Sequence, residues 1–99
     1  MSDAKEPVRY RYGFKRHLPI SDVQDSLTLA VISAESLHGR SQLRLDGWWR
    51  LDRQRRVCEI DASTPVGQDI ARLFVAYLSR EFGERPFHVL PVRRRTGGK

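Results

Sequence analysis

His17, His38, His88 and Cys58 are the side chains in this sequence that could ligate a transition metal or attack a substrate. Zinc-type sites need several Cys or His at short, fixed intervals. The three histidines are spread along the chain, and one cysteine builds no cluster and closes no internal disulfide. Cys58 falls within VCEIDA at 57–62, where a small apolar residue suits a strand. A nucleophilic role would instead need neighbours that favour its thiolate. No Gly-rich phosphate loop or dinucleotide fingerprint occurs. The stretch Asp61-Ala62-Ser63-Thr64-Pro65 leads from a strand into a helix start, an arrangement that can hold an anion. Helix capping accounts for Ser63 and Thr64 without any ligand. The expectation from these residues is a non-enzymatic protein with no catalytic group, no cofactor and no metal.

Charge says more than motifs do. The net charge is +6, and it is unevenly placed. Residues 1–20 carry +3, residues 40–56 carry six arginines against Asp46 and Asp52 for +4, and residues 93–99 carry +4. Residues 21–39 hold −3, and Glu59 with Asp61 adds −2. Such a distribution favours an anionic partner, nucleic acid foremost, or serves only to keep the chain in solution. No apolar run approaches the roughly 18 residues of a membrane span, so no membrane partner is expected. Met1–Glu6 has no apolar signal core, and a lone thiol suits a reducing compartment, so the expected location is cytoplasmic.

The elements that must position these charges follow from periodicity. Ninety-nine residues, 39% hydrophobic and 30% charged, allow one domain with one core. Residues 1–7 read as a frayed start. VRYRYGFK at 8–15 alternates, with Tyr10, Tyr12 and Phe14 on one side and Arg9, Arg11 and Lys15 on the other. The spacing of Val23, Leu27, Ala30, Val31, Ala34 and Leu37 predicts a helix over 21–38. Ser21 with Gln24 forms its capping box, Ile20 its staple and Gly39 its C-terminal stop. QLRLDGWWRLD at 42–52 alternates again, with Leu43, Leu45, Trp49 and Leu51 inward and Gly47 at a bulge. A polar loop at 52–55 joins it to a strand at 57–62. Thr64 and Pro65 open a second helix, striped by Val66, Ile70, Leu73, Phe74, Tyr77, Leu78 and Phe82 and closed by Gly83. A last strand at about 86–92 carries Pro91, which assigns it to a sheet edge. The tail 93–99 reads as disordered.

This order predicts an α+β fold: a two-layer β-α-β-β-α-β (ferredoxin-like) sandwich, with two helices on one face of a four-stranded antiparallel sheet. The expected strand order is 4-1-3-2. The other sheet face would then show Arg9, Arg11, Arg44, Trp48, Arg50, Val57, Glu59, Asp61, His88 and Leu90. On one reading this face binds nucleic acid through Arg9, Arg11, Arg44, Trp48 and Arg50, with Arg93, Arg94 and Arg95 of the tail adding phosphate contacts. On a second, Trp48, Val57 and Leu90 form an interface with a protein or a second copy. On a third, Glu59 and Asp61 simply pair with the arginines of neighbouring strands. RNA-recognition-motif domains carry aromatics on the first and third strands of such a face, and that signature is missing. Acylphosphatases share the expected topology, but this sequence has no asparagine to position a water and no Gly-rich loop.

Overall fold

Alternation of aromatic and basic residues gives the first strand two unlike faces, and the rest of the molecule assembles on the aromatic one. The computed structural model describes residues 8–83 and 87–93. Its elements run β1 (Val8–Phe14), α1 (Ile20–His38), α2 (Arg40–Asp46), β2 (Trp49–Asp52), β3 (Val57–Asp61), α3 (Pro65–Phe82) and β4 (Phe87–Arg93). The four strands form one antiparallel sheet in the order β2-β3-β1-β4. The fold is therefore α+β. β1 and β3 lie in the centre, and the strand with Pro91 lies at an edge.

Tyr12 and Phe14 are buried and Tyr10 is half-buried, so the aromatic stripe of β1 faces the helices. From β3, Cys58 and Ile60 join them. The ring of Phe74, fully buried on α3, meets Tyr12 edge-on at 5.3 Å and Phe14 at 6.0 Å. Such edge-to-face pairs contribute about 1 kcal/mol each beyond the area they bury. α1 lies along α3, where the hydroxyls of Ser33 and Tyr77 are 2.9 Å apart and His38 Nε2 is 2.8 Å from Asp69 Oδ2.

The described residues form three helices where two were expected. The alternation over residues 42–46 reads as strand, yet this stretch belongs to helix α2. Gly39 turns the chain at φ +90°, its C=O accepts from Leu43 N–H at 3.0 Å, and the helix restarts. Leu43 is buried as expected, but Leu45 is 78% exposed, because residues two apart point to different sides of a helix. Gly47 ends α2 rather than marking a bulge, and a Cβ there would lie 2.8 Å from the Leu43 carbonyl oxygen. The second strand is consequently only Trp49–Asp52.

The caps divide in the same way. Thr64 accepts from Gly67 N–H at 3.0 Å and starts α3 as the sequence indicates, and Gly83 ends it. The Ser21 capping box does not form. The Pro19 carbonyl already accepts from the N–H groups of Asp22 and Val23, so Ser21 lies inside the first turn and α1 has no side-chain cap. Leu37, placed on the apolar stripe by its spacing, is 67% exposed at the end of α1.

Candidate nucleic-acid interface

Opposite the helices, the sheet presents Arg9 and Arg11 from β1, Glu59 and Asp61 from β3, Arg50 from β2 and His88 from β4. The register places Arg9 opposite Asp61 and sets Glu59 between Arg11 and Arg50. Arg9 also approaches Glu59 at 4.0 Å. Its guanidinium lies 4.1 Å above the ring of Trp48, a cation–π contact that leaves Trp48 half-buried under a side chain of its own chain. A shallow recess of 120 Å³ lies among Arg11, Arg50, Asp52, Arg55, Val57 and Glu59, with both charge signs in its walls.

The sequence-derived site is thus divided. Arg9, Arg11, Trp48 and Arg50 share one side of the sheet, with three carboxylates among them. Arg44 leaves that face, because residues 40–46 are helical and carry it in the last turn of α2. Arg93 is the final residue of β4, and Arg94 and Arg95 lie outside the described residues. Val57 is half-buried on the open face.

A second group of cations lies where β1 and β2 end. Both strands run antiparallel to β3 and hence parallel to each other, so the loops that follow them leave the same end of the sheet. One loop holds Lys15, Arg16 and His17, all exposed; the other holds Arg53 and Arg55, also exposed. Arg56 joins them. Its Nη2 donates to the carbonyls of Lys15 at 2.7 Å, Arg16 at 3.4 Å and Leu18, and its own carbonyl accepts from Phe14 N–H at 3.1 Å. Arg56 adopts φ +60°, a left-handed conformation that costs a non-glycine residue about 1 kcal/mol. Three carbonyls accept from its Nη2 and work against that cost, while its Nε is buried without a hydrogen-bond partner. Among the described residues, the side chains of Lys15, Arg16 and Arg53 have no carboxylate partner, and Arg55 meets Asp52 through its backbone N–H at 3.0 Å and an exposed side-chain approach at 3.9 Å. Composition gave this charge, and the parallel course of the two strands is the signal that would have placed it at one end.

The helix start at Ser63–Gly67 is already satisfied from within. Asp61 accepts from both the N–H and the hydroxyl of Ser63, Thr64 Oγ1 donates to the Asp46 carbonyl at 3.0 Å, and Gln68 N–H bonds the Thr64 carbonyl. The first-turn donors of Gly67 and Gln68 are thus taken by Thr64, and those of Ser63 by Asp61. No three metal-ligating side chains gather among the described residues, and no described helix is long and apolar enough to cross a membrane.

Cys58 is fully buried, and burial, with the nearby charge of Glu59 second, pushes its thiol up to about 12. It stays protonated and unreactive at neutral pH. Burial likewise raises the Tyr12 hydroxyl, with smaller contributions from Cys58 and Tyr10. Both groups keep in the folded state a proton that the unfolded chain gives up. Stability is accordingly complete below about pH 9 and falls above it, by about 1.4 kcal/mol per pH unit for the thiol alone. Urea titrations from neutral to alkaline pH should show this decline, and Cys58→Ala should make it shallower. A flat profile across that range would rule it out.

No family model, curated protein or solved structure matches this chain.

Proposed function

We propose that this protein is a non-enzymatic module that binds nucleic acid through the phosphate backbone, using the cationic end of its sheet. The observation that supports the reading is the grip of Arg56, which holds the loop of Lys15, Arg16 and His17 against the hairpin of Arg53 and Arg55. Cations fixed relative to one another lose less side-chain and loop freedom on binding than cations on independent loops. The flat face beside them is a poorer candidate. Its arginines stand among carboxylates, and Trp48 is covered by Arg9 rather than free to stack on a base. Recognition without stacking points to phosphate contacts and to a duplex as readily as to a single strand. We read the frame as a ferredoxin-like variant with α2 inserted before the second strand; the central positions of β1 and β3 support this.

Fluorescence anisotropy with short mixed-sequence duplexes and single strands tests the function. Four phosphate contacts from Lys15, Arg16, Arg53 and Arg55 imply a log–log salt slope of about −4 on duplex DNA. Affinity then falls roughly 200-fold between about 50 and 200 mM salt. Arg16→Ala with Arg53→Ala should shorten the slope by about two. Absence of binding at the lower salt, or a slope unchanged in the double variant, would exclude the basic end as the interface.

A further inference from the structure

The free edge of β2 has a property that the cationic end does not share. β2 pairs with β3 on one side and has no strand neighbour on the other among the described residues. Asp61 N–H donates to the Trp48 carbonyl at 3.0 Å, which sets the parity of the ladder. The backbone groups of Trp48, Arg50 and Asp52 point toward β3, and those of Trp49 and Leu51 point outward. The side chains of Trp49 and Leu51 face the helix layer and line a 370 Å³ groove with Leu27, Val31 and Ile32 of α1; Thr28 also lines it, as do Gln24 and Arg53, whose guanidinium donates to the Gln24 side-chain carbonyl oxygen. Ile32 is 52% exposed at its rim, and Leu29, equally exposed, follows on the outer surface of α1. Unused donors and acceptors thus run beside an apolar trough, an arrangement suited to an added strand.

The charges flanking Leu51 specify the occupant. Arg50 and Asp52 lie on the open sheet face, one residue to either side of Leu51. We infer that a second copy of this chain docks here, the two β2 strands pairing antiparallel about Leu51 into an eight-stranded sheet. In that register Arg50 of each copy faces Asp52 of the other, Leu51 meets Leu51, and Trp49 lies opposite Arg53. Sliding by two residues in either direction sets Arg50 against Arg50 or Asp52 against Asp52, which is unfavourable. Sliding by one residue turns the helix layers to opposite sides of the joined sheet and exposes both troughs. The edge is therefore complementary to itself in one register, and this inference does not depend on nucleic-acid binding.

Sedimentation of the whole protein over a concentration series tests it, with a mass of twice 11.5 kDa expected at high concentration. Arg50→Asp alone and Asp52→Arg alone each place like charges in both cross-strand pairs, and each should weaken association by about tenfold or more. Mixed together, the two variants have opposite charges in both pairs and should recover a heterodimer. Amide NMR adds a local readout, with concentration-dependent shifts centred on Trp49 and Leu51. A monomer at every concentration would overturn the inference, as would a dimer indifferent to both charge reversals.

Discussion

Replacing Gly67 by alanine should lower the unfolding free energy by about 3 kcal/mol. Helix propensity alone predicts the reverse sign, since alanine is favoured over glycine in a helix by about 1 kcal/mol. Sterics decide the outcome. Gly67 lies in the first turn of α3, where the chain has just left β3, and a Cβ there would sit 1.8 Å from the Asp61 carbonyl oxygen and 2.9 Å from its carbon. Both are backbone atoms, so no rotamer change relieves the overlap. The first turn of α3 or the end of β3 must move, disturbing the Thr64 cap and its bond to Asp46. For a domain of this length such a loss lowers the melting temperature by roughly 12–24 °C. Thermal melts followed by circular dichroism measure it, and a variant that melts at or above the parent would disprove the argument.

Phe74→Ala should cost about 3–5 kcal/mol. Phe74 has no exposed surface and stands between Tyr12 and Phe14, so one residue joins α3 to the central strand. Its removal leaves a cavity walled by two aromatic rings, neither of which can turn without losing contact with Phe87. Phe74→Leu should lose less, because it keeps most of the volume and forfeits mainly the edge-to-face geometry. In urea the midpoint should fall while the slope of the transition is kept, since the same surface is exposed on unfolding. A midpoint for Phe74→Ala within error of the parent would show that α3 is held elsewhere.

Where one period dominates a long stretch, the sequence was readable. The alternation of Tyr10, Tyr12 and Phe14 set the face of β1, and the stripe from Val66 to Phe82 set α3 together with its caps at Thr64 and Gly83. Pro91 placed β4 at an edge. Residues 42–46 read as strand because two leucines two apart satisfy a strand pattern even when one of them points into water. Arg40, Gln42, Leu43, Arg44 and Leu45 are all good helix formers, and Gln42 reaches Asp46 one turn on, so local preference already favoured α2. At the candidate site, the parallel course of β1 and β2 was enough to place their loop cations at one end, but the clasp between the two loops was not legible. That clasp depends on Arg56 taking a left-handed conformation and reaching carbonyls some forty positions earlier in the chain.

The register of the sheet also sets a timetable. Of the four strands in this sheet β1 is synthesised first, yet its two neighbours come late: Arg9 pairs with Asp61, and Val8 with Arg93. Only the β2–β3 hairpin can form from residues close in sequence. At about 5–20 residues per second, the aromatic stripe of β1 waits roughly 4–16 seconds between its own synthesis and that of its last partner. Closing loops of that length comes before any gain from the pairing, so the sheet should assemble from the hairpin inward, with β1 and β4 joining last. During that interval Tyr10, Tyr12 and Phe14 lack the Phe87 ring and the β4 backbone that complete their packing.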